Sequence, residues 1–393
     1  MCNIELSAIF HLQKQNYRLL NQTKIIRLNI GEPDVDTADH IKLAAYDAIR
    51  QGLTHYPPIY GVRELREAIQ RKLARENNLS YEIDNIIVGC GTKSIIHNLF
   101  MATIDNDDEV IVPTPCWGAY KDIISLFQGV VVTTPTTYVN QFKINLEHLA
   151  NCITHKTKWL LLNSPNNPTG ACYSNSELRD IADVMLQFPH VNILVDDIYE
   201  HIIFDGKKFN NILEIAPELR TRTFIVNGMS KAYAMTGWRV GYGVGNKEII
   251  DIIAILQSRS TTNTSTISQH ASIAALDLTT AELMLDNIKI YENKRDLAFK
   301  LLMQIDGMQC SMPDGAFYLF PSIEAFIGKH TKDGTLINSD SDFAAYLLED
   351  YGVAITPGIA FLCSGHIRIA FAASLPDIQE GLTKLKMACE NLK

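Results

Sequence analysis

Seven short apolar runs between residues 85 and 245 do most to limit the fold. They are NIIVG (85–89), DEVIVPTP (108–115), GVVVTTP (129–135), KWLLLNSP (158–165), NILVDD (192–197), RTFIVNG (222–228) and VGYGVG (240–245). Their β-branched, continuous character fits strands covered on both faces, since a half-exposed strand alternates apolar and polar residues. Helical spacing separates several of them, at 94–104, 117–127, 175–187 and 247–256. GVRELREAIQRKLAREN (61–77) precedes them as an amphipathic helix with Val62, Leu65, Ile69 and Leu73 on one face. The alternation predicts an α/β fold with a mostly parallel seven-stranded sheet between helices.

The texture changes past about residue 280. A long charged helix (282–304) leads into GAFYLF (315–320), a helix near 342–351, GHIRIAFA (365–372) and a terminal helix (376–391). This predicts a smaller α+β domain. The N-terminal segment opens with a helical pattern and is expected to pack with it. The smaller domain is then discontinuous, 1–35 with 283–393, and the larger covers 36–282. No internal repeat or low-complexity linker interrupts the chain.

Charge and cysteine usage narrow the function class. A net charge of −9 over 393 residues opposes a nucleic-acid partner, which calls for a clustered positive excess. The eight cysteines are scattered without C-x-x-C spacing, so neither a zinc site nor a redox motif is expected and a reducing compartment fits. The N-terminus lacks a signal pattern, and no run of 18 apolar residues suggests a membrane span. The expected location is the cytoplasm.

Ligands of open α/β sheets bind beyond the carboxyl ends of the strands. Polar groups collect there. NSPNNPTG (163–170) follows one run, Asp196, Asp197 and Tyr199 another, and Ser230 and Lys231 a third. CGTKS (90–94) is a glycine turn opening a helix, and Trp117 follows a fifth run. Between Thr223 and Asn246 the only charged residues are Lys231 and Arg239. A lysine in apolar surroundings has a lowered pKa and can form a Schiff base with a carbonyl. An aspartate can keep a pyridine-type nitrogen protonated, and a tyrosine and an asparagine can donate to a phenolate. An arginine, a serine and a Gly-Thr helix start suit a phosphate, while a tryptophan face stacks on a ring. Together these demands describe pyridoxal 5′-phosphate.

NSPNNPTG, DDIYEHIIFDG, SKAYAMTGWRVGY, GAFYLF and HIRIAFA resemble the class I/II aminotransferases of the aspartate aminotransferase fold type. The likeness runs in order from GEPDVDT and THYPPIYG to HIRIAFA. It implies that Lys231 is the Schiff-base lysine and proton shuttle, and that Asp196 partners the ring nitrogen. Tyr199 and Asn167 are then expected on the ring oxygen, and Trp117 over the ring. Arg239, Ser230, Gly91 and Thr92 are expected to hold the phosphate. Tyr56 matches a tyrosine that reaches the neighbouring subunit's phosphate, which implies a homodimer with shared sites. Arg368 matches the arginine that grips the substrate α-carboxylate, and Gly31 lies in the loop closing over it. Two departures stand out. Asp197 follows Asp196 where many relatives have Glu, and Gly228 stands where some relatives carry a hydroxyl residue three positions before the lysine.

The resemblance implies ping-pong transfer of an amino group from an L-amino acid to a 2-oxo acid. Lys93 follows the phosphate turn. In one bacterial branch of aspartate aminotransferases, some of which accept prephenate, a lysine at the matching place contacts the distal carboxylate. Aspartate or glutamate is therefore the first expectation. Aromatic, alanine or other neutral amino acids are the alternative within transamination, and C–S lyase or other chemistry is the alternative on the same fold.

Overall fold

The computed structural model describes residues 25–393. The N-terminal helical pattern, residues 1–24 of the expected smaller domain and Cys2 lie outside the described residues. After β1 (Ile26–Arg27), seven strands form one sheet. They are β2 (Ile86–Gly89), β3 (Glu109–Thr114), β4 (Val130–Pro135), β5 (Thr157–Asn163), β6 (Asn192–Asp196), β7 (Thr223–Gly228) and β8 (Gly241–Val244), in the order β2-β8-β7-β6-β5-β3-β4. The neighbours from β7 to β4 pair in parallel, while β8 runs antiparallel to both β2 and β7. Two reversals restore direction, so β2 ends on the same rim as the parallel strands.

The continuous apolar runs of the inner strands follow from cores on both faces, whereas the edge strand β4 leaves Val130 and Thr133 exposed. In β5, Leu160 and Leu162 pack on one side with Leu65, Ile69, Ile111, Ile193 and Ile225. Trp159 and Leu161 face the other side, among Phe100, Val110, Leu194 and Phe224. Successive strand side chains point to opposite faces, so both must be apolar.

The helix Arg63–Glu76 buries Leu65, Ile69 and Leu73 on the expected stripe. Helices Thr92–Thr103, Ala119–Leu126, Asn175–Leu186 and Lys247–Arg259 occupy the other expected segments. Ser174 and Glu177 form a capping box that fixes the start of one of them. Asp39–Arg50, Leu146–Cys152 and Thr266–Ala275 are helices without a corresponding sequence expectation. Thr266–Ala275 buries Ser268, Gln269, Ala271, Ser272 and Ala275, a face too small and polar to show as a hydrophobic stripe.

A further core gathers the C-terminal part. β9 (Tyr318–Leu319), β11 (Thr356–Pro357) and β12 (Ile367–Ala370) form an antiparallel sheet, while β10 (Val353–Ala354) pairs in parallel with β1. Helices Leu278–Leu302, Asp340–Tyr351 and Leu375–Glu390 cover them. The expected boundary at 282/283 falls inside the first of these helices. Ile198, Tyr199, Ile202 and Phe204, from the segment just after β6, pack into this same core. That segment joins the large sheet to the C-terminal part. Among the described residues no helix is long and apolar enough to cross a membrane, and no described cysteine is in a disulfide.

Leu161 is 1% exposed at the sheet centre. Leu161→Ala is expected to lower unfolding free energy by about 2–5 kcal/mol, seen as a lower urea midpoint at unchanged slope.

Candidate active site

A cavity of about 380 Å³ opens at the carboxyl rim of the sheet. Its floor is built by strand ends. β6 delivers Asp196 and then Tyr199, β7 leads to Ser230 and Lys231, and β5 ends at Asn163 with Asn167 just beyond. The helix after β2 presents Thr92 and Lys93, and the segment after β3 presents Trp117 and Tyr120. Asn29–Glu32, Tyr318 and Arg368 close the opposite wall, and Thr236 and Arg239 line the same cavity.

Asp196 is 3% exposed. Burial pushes its carboxyl up to about 6, although a hydrogen bond from Tyr120 Oη at 2.6 Å and one from Ile198 N–H favour the charged form. Lys231 is the cation that also favours its charged form. Lys231 is half-buried, and desolvation followed by repulsion from Arg368 lowers its amine to about 8. Roughly a tenth of such amines are neutral at pH 7, enough to act as a base. Its Nζ donates to the Gly31 carbonyl oxygen.

Two arginines make anion sites of different kinds. Arg368 is 6% exposed, donating through Nη1 to Asn167 Oδ1 at 3.0 Å and through Nη2 to the Asn29 carbonyl at 2.8 Å. Its Nε is buried without a protein partner, as is Asn29 Oδ1. A buried, unused guanidinium donor fits a carboxylate ligand. Arg239 is exposed and sits against Gly91, where an added Cβ would lie 2.5 Å from its Nη2. Gly91 has φ +81° as N-cap of Thr92–Thr103, so glycine serves both the backbone and the close approach. Arg239 itself holds φ +56°, a left-handed conformation costly for a residue with a side chain. Lys93 Nζ lies 4.8 Å from the Trp117 ring centre, and desolvation and Arg239 lower its pKa. Of the residues named from sequence, Gly91 lies beside the cavity lining and Tyr56 lies apart from it, 88% exposed; the others line the cavity.

Position 228 has no room for a side chain. An added Cβ would lie 2.9 Å from Gly241 Cα, 2.9 Å from the Val240 carbonyl oxygen and 3.1 Å from Thr92 Cγ2. Asp197 is buried and accepts a hydrogen bond from Asn211 Nδ2.

Sequence reasoning missed Tyr120 and the part played by Tyr318. Tyr120 lies one helical turn after Trp117, a spacing that places both toward one side, and the rings meet edge to face at 5.2 Å. Tyr318, inside GAFYLF, has its hydroxyl 2.7 Å from that of Tyr199 and its ring 4.4 Å beneath the Arg368 guanidinium.

The arrangement has close counterparts among known proteins. Residues 23–385 match the family model for aminotransferase class I and II. The chain belongs to this family. It is 48% identical over 368 residues to a probable aspartate/prephenate aminotransferase of Rickettsia bellii, covering 94% of this chain and 92% of the relative. An aspartate aminotransferase of Rhizobium meliloti is 45% identical, with 94% and 90% covered. The crystal structure of an aspartate aminotransferase from Rhizobium meliloti superposes with a TM-score of 0.96 at 43% identity, over 100% of this chain and 98% of that one. The Thermus thermophilus enzyme with maleate gives 0.90 at 36%, over 98% and 97%. The chain is thus a pyridoxal-phosphate-dependent aminotransferase.

Tyr120→Phe removes the hydroxyl that stabilises the Asp196 carboxylate. The Asp196 pKa in the cofactor-free protein is expected to rise above about 6, as read by carboxyl-carbon NMR titration against the parent.

Proposed function

We propose that this aminotransferase takes dicarboxylic amino acids, aspartate or glutamate, as donors and their 2-oxo acids as acceptors. The carrying observation is the pair of separated cations facing one cavity, buried Arg368 with its unpartnered Nε and Lys93 over the Trp117 ring. Arg368 binds the α-carboxylate, and Lys93 the carboxylate at the far end of the side chain.

The residues present suit the cofactor. Arg239, Ser230, Thr92 and the Gly91 turn would hold its phosphate, and Trp117 would stack on its ring. Asn167 and Tyr199 would donate to the ring oxygen, and Asp196 would keep the ring nitrogen protonated. Bound pyridoxal phosphate supplies an electron sink for the pair released at the substrate Cα. Lys231 would be its covalent anchor, and as a free amine its Nζ would take the Cα proton, helped by a depressed pKa that makes the neutral form accessible. Tyr199 stays a neutral donor because burial raises its pKa. The amino group leaves the first substrate before the second acid binds, which gives ping-pong kinetics.

The same reading extends to assembly. Tyr56 is exposed beside Asn263, whose carbonyl contacts Cys90 Sγ at 3.7 Å, next to the phosphate turn. This supports a homodimer in which Tyr56 reaches the partner's phosphate. Among the described residues the proposed division is a larger domain at 36–282 and a smaller one from 25–35 with 283–393, and the proposed location is the cytoplasm.

Lys231→Ala is expected to abolish transfer while pyridoxal phosphate still binds weakly, and undiminished turnover overturns the reading. Lys93→Ala is expected to lower kcat/KM for aspartate and glutamate by about tenfold or more, through loss of a charge-assisted contact. The value for alanine should stay near that of the parent. Single-donor half-reactions followed by cofactor absorption measure both.

A further inference from the structure

Behind the cavity lies a buried charge cluster that the reaction does not use. Lys72 and Glu200 are 1% and 6% exposed. Lys72 Nζ pairs with the Glu200 carboxylate, donates to Asn77 Oδ1 at 2.8 Å and lies 3.6 Å from Glu76 Oε2. Glu76, Glu200 and His201 have the mutual spacing of a metal site, but the Lys72 ammonium occupies the place a cation would take. Glu200 also accepts from Asn77 Nδ2 at 3.0 Å and from Asn227 Nδ2 at 2.6 Å, with His201 Nδ1 at 3.7 Å.

Of these partners, Asn227 leads into the active site. Parallel pairing of β6 with β7 ends at Asp196 opposite Val226, and the last backbone tie is Asp197 N–H to the Val226 carbonyl at 2.9 Å. Past that point the segments carry different groups. One continues through Tyr199 to Glu200, the other through Asn227 to Ser230 and Lys231. The Asn227–Glu200 hydrogen bond is the next tie after the ladder stops. Asn227 also accepts from Gly228 N–H at 2.7 Å, which fixes its amide orientation.

We propose that Asn227 is a positioning residue. Its amide, held by the Lys72-neutralised Glu200 carboxylate, locks the spacing between the Asp196–Tyr199 turn and the Ser230–Lys231 turn. The proposal rests on those turns being the cofactor site. A site preorganised by such a bond binds its ligand more tightly than one left loose. Asn77 gives an internal control. It donates to the same carboxylate from the far side, on the C-cap of the helix Arg63–Glu76, and touches neither turn.

The test compares Asn227→Ala with Asn77→Ala in full-length protein stripped of cofactor. Three quantities are read: pyridoxal phosphate Kd by titration, the absorption spectrum of the bound cofactor against pH, and Tm. Both variants are expected to lose Tm. Asn227→Ala is also expected to weaken pyridoxal phosphate about tenfold and to shift the spectral pKa, and Asn77→Ala to change Kd by less than about twofold. Equal loss of affinity in the two variants, or none in Asn227→Ala, overturns the positioning role. If Asn227→Ala does not fold, Asn227→Ser carries the test. Its shorter side chain cannot span the gap to Glu200, and pyridoxal phosphate Kd is expected to rise several-fold beyond that of Asn77→Ala. Equal affinity in the two folded variants overturns the proposal. A parent protein that takes up no pyridoxal phosphate overturns the functional reading itself.

Discussion

A sheet covered on both faces can offer polar side chains to a ligand only where its strands end, and the site depends on that constraint. Val195 packs in the apolar core, and Asp196, one residue later, faces the cavity. The step from core to rim places a carboxylate where water is scarce and its proton is held unusually tightly. The same scarcity acts in the opposite direction on Lys231 and Arg368. The rim thus gathers cations that repel one another, Lys231 against Arg368 and Arg239, and one acid whose charged form Lys231 favours.

Much of this was legible in the sequence because the constraint is itself a sequence pattern. Continuous apolar runs marked the strands, and the polar residue after each run marked the rim. Only two charged residues appear between Thr223 and Asn246, and both line the cavity. What escaped notice was held by packing rather than by pattern. Tyr120 looked like any helical tyrosine until the fold set its hydroxyl on Asp196. The helix Thr266–Ala275 hid because its buried face is serine, glutamine and alanine. Position 228 looked like a missing contact, whereas the backbone of Gly241 and the methyl of Thr92 leave no space for one.

The two parts of the molecule meet through the site itself. Tyr199 belongs to the large sheet by sequence and to the C-terminal core by packing, and its hydroxyl rests on Tyr318. The loop from Gly31 to Thr37 crosses between them. It takes a hydrogen bond from Lys231 at the Gly31 carbonyl, one from Thr236 at Glu32, and an ion pair from Lys294 at Asp34, and Thr37 donates to the Ala234 carbonyl. The wall that carries Arg368 is therefore held to the floor that carries Lys231 by the loop between them.

The left-handed backbone at Arg239 sets two demands against each other. Glycine there removes the steric cost of that conformation, on the order of 1–2 kcal/mol, and also removes the guanidinium at the Gly91 turn. Lysine keeps the charge and the cost but loses the planar fork. No single replacement satisfies both backbone and charge, so this position sets how firmly the chain folds against keeping a planar cation at the Gly91 turn. A variant selected only for thermal resistance would drift toward glycine at this residue and empty that corner of the cavity of its guanidinium.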